Sequence, residues 1–135
     1  MYLRRIELEE FRCFHHLDLP LPPSGLRLVG SNAAGKTSLL EAIYLLATTR
    51  SFRTATERQL IHRDSGRDYG LPPYARLVGE VLYDHLHTTI EMTITVEPER
   101  NSARKRIRQD GLPRRAIDVV GTLRVVLFSP EDLEL

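Results

Sequence analysis

The sequence predicts an α/β domain with a mixed sheet that includes antiparallel hairpins. Apolar residues alternate over residues 2–8 and 17–21, a pattern typical of strands with one buried face. A glycine-bounded loop then leads into residues 39–46, where leucine and isoleucine recur at helical spacing. Residues 75–83 and 87–96 alternate again on either side of a polar turn, which predicts an antiparallel hairpin. Strands combined with a helix in this order indicate the α/β class.

Five shorter segments complete the predicted organisation. The apolar run 26–29 precedes the glycine-bounded loop and predicts a short strand. Residues 57–61 predict a short helix, and residues 116–120 predict a helical turn that Gly121 ends. Residues 104–108 predict a strand that runs into Asp110-Gly111, a dipeptide that strongly favours a tight hairpin turn. Residues 125–128 predict a buried strand.

Composition excludes several classes of protein. The 135 residues are 41% hydrophobic and 27% charged, which excludes disorder as the main state. The longest apolar stretch, residues 39–47, is interrupted by Glu41 and is too short to span a membrane. Cys13 is the single cysteine, so the sequence holds neither a disulfide framework nor a cysteine zinc site. This usage favours a cytoplasmic protein without a membrane partner.

Charge is concentrated in one stripe. Residues 100–115 contain seven basic residues and one acid (+6), whereas the rest of the chain has twelve basic and seventeen acidic residues (−5). Strand alternation places Arg104, Arg106 and Arg108 on one face, spaced about 7 Å apart. With Lys105, these residues are the candidate DNA contacts, through phosphates rather than bases. The alternative is a solvated hairpin with no ligand.

One motif carries specific chemistry. It matches G-x-x-x-x-G-K-[ST] in full, between a predicted strand and a predicted helix. In such a loop, glycines allow the backbone N–H groups to approach phosphates, and the following helix directs its positive end at them. Lys36 is expected to contact the β- and γ-phosphates of ATP, and Thr37 to bind Mg²⁺. The predicted nucleotide-binding residues are Gly30, Ser31, Asn32, Ala33, Ala34, Gly35, Lys36 and Thr37.

The motif leaves the class of nucleotide-binding protein open. Hydrolysis of this type needs a second strand that ends in an acid, and residues 125–128 are followed by Ser129 instead. We therefore assign no catalytic residue and expect no ATP turnover by this chain alone. A DNA repair protein, a small-molecule kinase and a transporter ATPase subunit all remain candidates.

The end of the sequence has the parts of a helix start. A capping serine, a proline and two acids follow one another at Ser129, Pro130, Glu131 and Asp132. Only three residues come after them, and a helix nucleus of this length is not stable alone. We expect the chain to be a truncated, amino-terminal piece of a longer protein.

The flanks of the motif resemble the start of RecF, a bacterial recombination and repair ATPase related to SMC proteins. The resemblance lies in residues 2–12, 28–37, 40–44, 50–54, 57–61 and 128–133. It implies that residues 1–135 are the amino-terminal part of an ABC-type ATPase head whose Walker B and signature regions lie beyond Leu135. It also implies a weak ATPase that dimerises around ATP, with Arg12 near the nucleotide.

The same resemblance implies a role in DNA metabolism. RecF proteins bind single-stranded and duplex DNA at gaps and assist RecO and RecR in loading RecA, in replication, repair and the SOS response. Two lesser signals have simpler interpretations. Phe11, Phe14 and Phe52 are expected in the core, and His85 and His87 are expected to be solvated rather than metal-binding.

Overall fold

The fold is a six-stranded antiparallel sheet with one long helix packed on one face. The computed structural model describes residues 1–30, 35–53, 56–67, 70–97, 99–100 and 102–128. The strands are β1 (Tyr2–Phe11), β2 (Phe14–Pro20), β3 (Tyr74–Tyr83), β4 (Leu86–Glu97), β5 (Ser102–Gln109) and β6 (Leu112–Arg114). The helices are α1 (Lys36–Thr48), a 3-10 helix (Glu57–Leu60) and α2 (Ala116–Val119). The strand order is β2-β1-β3-β4-β5-β6.

Tight turns set the register of the hairpins. β3 and β4 meet at Tyr83 and Leu86, so a two-residue turn joins them, as the sequence predicts. The β5–β6 turn contains Asp110 and Gly111 with φ of 52° and 83°, the left-handed conformation that Asp-Gly turns favour. The predicted hairpins are therefore confirmed.

The core lies between the sheet and α1. The inner face of the sheet buries alternate residues of each central strand, because strand side chains alternate in direction. These residues include Ile6, Leu8, Leu77, Val81, Ile90, Met92 and Ile94. α1 contributes Leu39, Leu45 and Leu46 to the same cluster. At Gly79 a Cβ atom would lie 2.9 Å from Leu46 Cδ1, so glycine allows α1 to pack closely on β3.

The outer face of the sheet is charged and largely neutralised within itself. Arg76 lies 2.9 Å from Glu91, 3.1 Å from Glu7 and 3.3 Å from Glu9. A second arginine, Arg5, pairs with Asp18, Glu7 and Glu80. The hydrogen bond from Arg5 and the ion pair together hold the pKa of the Asp18 carboxyl below its usual value. Glu7 and Glu9 of β1 and Glu91 of β4 are thus occupied by these two arginines.

Two predicted strands are wrong. Residues 26–29 and 125–128 are irregular, and their apolar side chains Val29, Val126 and Phe128 are 84%, 81% and 75% exposed. An apolar run becomes a strand only if a neighbouring strand supplies its hydrogen bonds. Neither segment pairs with the sheet in the described part of the chain, where every strand pairing is antiparallel.

The other sequence-based assignments have mixed outcomes. The predicted helix after the glycine-bounded loop, the helix near residue 57 and the turn near residue 116 are confirmed. Phe11 is fully buried and Phe14 packs against the core, but Phe52 is exposed and contacts Tyr44 edge-on, with ring centroids 5.5 Å apart. The predicted helix start at residues 129–132 lies outside the described residues. No described helix has the length and apolar character needed to cross a membrane.

Candidate nucleotide-binding site

The site begins where the glycine-bounded loop enters α1. Gly35 is the N-cap residue, with φ 90° and ψ 12° in the left-handed region that favours glycine. Among the described residues no side chain caps α1, and no acid occupies its first turn. The first backbone N–H groups therefore remain available, and the positive end of the helix dipole is not compensated by a carboxylate. This arrangement suits a phosphate.

The two ends of the loop are linked by Lys36. Its ammonium donates a hydrogen bond to the carbonyl oxygen of Gly30 at the start of the loop. Thr37 lies exposed in the first turn of α1, next to the lysine. The structure thus brings Gly30, Gly35, Lys36 and Thr37 together, as the motif predicts. The remaining predicted loop residues, Ser31, Asn32, Ala33 and Ala34, lie outside the described residues.

The turn between β1 and β2 supports the loop from behind. A Cβ atom on Gly35 would lie 2.6 Å from Cζ of Phe14 and 2.9 Å from Sγ of Cys13. The preceding residue, Arg12, has φ 51°, and its backbone N–H donates to Leu60 O at 2.8 Å. This turn is therefore fixed at both ends, and the close approach at position 35 leaves no room for a side chain.

The Arg12 side chain is engaged by a buried acid of α1. Glu41 is fully buried, and it accepts hydrogen bonds from Arg12 Nε at 2.8 Å and Nη2 at 2.9 Å. Two parallel bonds of this kind are the bidentate geometry that guanidinium and carboxylate groups favour. The structure thus fixes the Arg12 side chain against α1 through Glu41, and its predicted role near the nucleotide stays a prediction.

Two residues after α1 complete this cluster. Ser51 Oγ donates to Glu41 Oε2 at 2.5 Å, and its oxygen accepts the backbone N–H of Arg53 at 2.9 Å. Nη1 of Arg53 lies 3.8 Å from Glu41 Oε1 and donates to Ser38 Oγ at 3.4 Å. One carboxylate thus holds two guanidinium groups beside the first turn of α1. Sequence reasoning missed Glu41, although an acid between buried apolar positions of a helix is a usable signal.

The basic stripe divides between the two faces of β5. Arg104, Arg106 and Arg108 are exposed on the outer face, as alternation predicts. Arg104 lies 3.8 Å from Glu97. Glu91 of β4 lies opposite Arg108, but it forms its ion pair with Arg76. The predicted row of guanidinium groups therefore exists, on the face of the sheet opposite α1.

Lys105 does not belong to this row. It lies on the inner face, where its ammonium donates to Thr49 O at the end of α1 and lies 4.0 Å from Glu57. The structure therefore separates Lys105, which was predicted as a DNA contact, from the other three: one residue of offset along a strand reverses the face, and this lysine ties β5 to α1 and the 3-10 helix.

The β5–β6 turn is anchored by an acid. Asp110 accepts the backbone N–H of Thr89 at 2.8 Å and the hydroxyl of Thr88 at 2.8 Å. The backbone hydrogen bond from Thr89, followed by that from Thr88, holds the pKa of the Asp110 carboxyl below its usual value. The turn that ends the arginine row is therefore pinned to β4.

A further group of potential ligands was not predicted from sequence. Ligand atoms of Glu10, His15 and His62 lie within 4.8 Å of one another. His15 Nδ1 donates to Glu10 at 2.7 Å, and His62 Nδ1 accepts the backbone N–H of Asp64 at 3.0 Å. The two rings stack with centroids 3.9 Å apart. These contacts attach the segment after the 3-10 helix to the β1–β2 turn, which explains the group without a metal.

A glycine-bounded loop that leads into a helix, with the G-K-[ST] lysine at the start of that helix, is the phosphate-binding element of the P-loop NTPase class. The chain belongs to the family described as the RecF/RecN/SMC N terminal domain, whose model matches residues 2–131. The resemblance to RecF and the predicted fold class are thereby confirmed.

Relatives and solved structures agree with this assignment. The chain is 58% identical over its full length to the "DNA replication and repair protein RecF" of Thermomicrobium roseum, of which it covers 34%. It is 44% identical to the protein of the same description from Herpetosiphon aurantiacus, covering 37% of it. The chain therefore spans about a third of the length of these relatives.

One solved structure matches with a TM-score of 0.80 at 32% identity, over 98% of this chain and 34% of that one. It is described as "Structure of the recombination mediator protein RecF-ATP in RecFOR pathway". A second, described as the corresponding RecF-ATPrS structure, matches with a TM-score of 0.76 at 31% identity, over 98% of this chain and 33% of that one.

Proposed function

We propose that residues 1–135 are the ATP-binding, amino-terminal part of an ABC-type ATPase head in a RecF-type DNA replication and repair protein. The observation that carries this proposal is the uncapped start of α1 behind a loop closed by Lys36. In the ATP-bound protein, the Lys36 ammonium exchanges the Gly30 carbonyl for phosphate oxygens. The description of a matching structure as RecF-ATP supports ATP as the nucleotide.

The loop residues have separate roles in nucleotide binding. Gly30 to Gly35 supply backbone N–H groups to the phosphates, and Thr37 supplies a hydroxyl ligand for Mg²⁺. Arg12 acts beside them: the Glu41 carboxylate fixes it, and its turn supports Gly35. Walker B and signature residues are supplied from outside this chain, so we assign no catalytic residue within it. Hydrolysis belongs to an ATP-dependent homodimer of the whole protein.

The second part of the proposal is DNA binding through the outer face of β5. Arg104, Arg106 and Arg108 are exposed along one line, and no aromatic residue lies between Arg100 and Arg115. Base stacking, the common device for single strands, is therefore absent from this element, and phosphate contacts remain. Through them the protein binds duplex DNA at least as well as single strands, with no preference for sequence.

The family match supports a proposal for the biological role. A RecF-type protein in the cytoplasm acts at DNA gaps, with RecO and RecR, to assist loading of RecA in replication, repair and the SOS response. The description of a related structure as part of the RecFOR pathway supports these partners. The family match favours this role over a small-molecule kinase or a transporter ATPase subunit.

Nucleotide binding is tested with Lys36→Ala in the intact protein. Removal of a charge-assisted contact to phosphate costs about 1.5–3 kcal/mol, so the affinity for a fluorescent ATP analogue with Mg²⁺ should fall at least tenfold. Arg27→Ala, which removes an exposed charge elsewhere, is the control. The thermal melting temperature should change little, because the Lys36 side chain makes its hydrogen bond to Gly30 O at the exposed surface. Unchanged affinity would contradict ATP binding at this loop.

DNA binding is tested with the triple variant Arg104→Ala, Arg106→Ala, Arg108→Ala. The plot of log K against log salt should lose about 0.9 of slope for each phosphate contact removed, equally for different sequences. A triple variant of exposed arginines elsewhere, at Arg27, Arg67 and Arg124, removes the same charge as the control. If both triple variants give the same affinity and slope, the DNA surface is not on β5.

A further inference from the structure

A hollow lined by four arginines lies near the first turn of α1, where Arg53 contacts Ser38. Of these four arginines, only Arg12 belongs to the proposed nucleotide-binding site. The volume of the hollow is about 580 Å³, and Arg12, Arg53, Arg58 and Arg63 line it together with Gln59. The β1–β2 turn, the segment after α1 and the 3-10 helix each contribute to it. We refer to it as the arginine hollow.

The arginine hollow carries a positive charge that the described residues around it do not balance. Glu41 serves both Arg12 and Arg53, so two guanidinium groups share one carboxylate. Within the described ranges, neither Arg58 nor Arg63 has an ion-pair partner. The acids next to them in sequence, Glu57 and Asp64, pair with other residues. The four arginines and Glu41 together leave an excess of three positive charges.

The two acids next to Arg58 and Arg63 in sequence form ion pairs with other basic residues. Asp64 lies 3.0 Å from Arg67, and Glu57 lies 4.0 Å from Lys105, which β5 supplies. Charges of one sign that converge on a concave surface attract an ion of the opposite sign more strongly than isolated charges do. An anionic ligand is therefore the simplest occupant of the arginine hollow.

The backbone around the arginine hollow is ordered by main-chain hydrogen bonds. Arg12 N donates to Leu60 O at 2.8 Å, and His62 N donates to Glu10 O at 2.7 Å. Leu60 and Ile61 are buried beneath the surface residues, and Ile61 forms a β-bridge with Phe11. The segment that carries Arg58 and Arg63 is thus held in place before any ligand arrives, which lowers the cost of binding.

The chemistry of the lining selects phosphate. Guanidinium groups offer paired N–H donors that match two oxygens of a phosphate, and no described residue occupies those of Arg58 or Arg63. Among the described residues, no aromatic side chain lines the arginine hollow, so these residues offer a base no ring on which to stack. We propose that the arginine hollow is a second anion site, in which Arg58 and Arg63 contact phosphate groups outside the Walker loop.

Two sources could supply those phosphates: the backbone of a nucleic acid or the phosphate tail of a nucleotide. The test uses the intact protein with Arg58→Ala and Arg63→Ala combined. The control combines Arg27→Ala and Arg124→Ala, which remove the same charge from exposed positions outside the hollow. Each protein is titrated with a short fluorescein-labelled duplex and, separately, with a fluorescent ATP analogue and Mg²⁺.

We expect the Arg58/Arg63 variant to bind one of these probes about tenfold more weakly than the control variant does. Loss confined to duplex binding, with a salt slope reduced by about 1.8, identifies a nucleic-acid backbone. Loss confined to the ATP analogue identifies the phosphate tail of the nucleotide. Equal affinities of the two variants for both probes overturn the proposal.

Two additions keep this test independent of the proposed function and of folding. The duplex titration is repeated in a Lys36→Ala background, so that a failed ATP site does not affect the result for the arginine hollow. A variant with Arg58→Lys and Arg63→Lys keeps the charge but loses the paired donors. It should bind better than the alanine variant and less well than the parent, and affinity no better than that of the alanine variant would also contradict phosphate contact.

Discussion

The strongest prediction concerns the buried pair of Arg12 and Glu41. We expect Arg12→Ala to destabilise the protein much more than removal of an exposed arginine. Glu41 is fully buried in the parent, and of its described partners the variant would keep only the Ser51 hydroxyl and the Arg53 guanidinium, 3.8 Å away, to compensate its charge. A buried charge left without its partner is among the few causes of large single-site losses.

The magnitude follows from the geometry. Arg12 makes two hydrogen bonds of 2.8 and 2.9 Å to an ionised group, and breaking a buried pair of this kind costs about 3–5 kcal/mol. The Arg12 side chain is 19% exposed, so water partly replaces the lost contact, and we expect a value near the lower end, about 3 kcal/mol. Glu41→Gln keeps the shape and one acceptor oxygen, and should cost about 1–2 kcal/mol.

The measurement is urea unfolding of both single variants and of the double variant, followed by circular dichroism. The double variant should be more stable than Arg12→Ala alone, because Glu41→Gln removes the charge that Arg12→Ala leaves uncompensated. Arg27→Ala is the control and should change the free energy of unfolding by less than about 0.5 kcal/mol. A loss below about 1 kcal/mol for Arg12→Ala, or purely additive effects, would refute this reasoning.

Three further predictions follow from single contacts. Gly35→Ala should cost at least about 1 kcal/mol of unfolding free energy in thermal melts, because a Cβ at φ 90° is strained and contacts the β1–β2 turn; an unchanged melt would contradict the close packing. Lys105→Met should lower stability by about 1 kcal/mol, through the lost bond to Thr49 O, yet leave the salt dependence of DNA binding unchanged, and a reduced slope would restore Lys105 as a DNA contact. Hydrogen bonds from Thr89 and Thr88 hold the pKa of the Asp110 carboxyl below its usual value. The stabilisation that these bonds provide is therefore present above the pKa of the unfolded state and is lost as the pH falls through the lower pKa of the folded state. Asp110→Asn should therefore be less stable than the parent at neutral pH and less sensitive to acid below about pH 4, and parallel pH profiles would contradict the anchoring role of Asp110.

Local sequence signals determined the parts of this protein whose hydrogen bonds are local or lie across a tight turn. The helix after Gly35 follows from apolar spacing, and the β5–β6 hairpin follows from Asp110-Gly111 with alternating arginines. The prediction of a nucleotide-binding loop is equally local, because the motif is defined by the order of eight consecutive residues. Alternation also placed Arg104, Arg106 and Arg108 on one face correctly.

Tertiary structure decided what depends on partners distant in sequence. The pair of Arg12 and Glu41 joins residues 29 positions apart, and no periodic pattern encodes such a contact. Lys105 shares the charge of its neighbours, but the face of β5 on which it lies brings it to Thr49 rather than to solvent. Residues 26–29 have the apolar composition of a buried strand. No described strand lies beside them to form backbone hydrogen bonds, and they are irregular. The spacing of apolar and charged side chains is fixed by the segment itself. Their burial and ion pairing depend on the residues that pack against that segment.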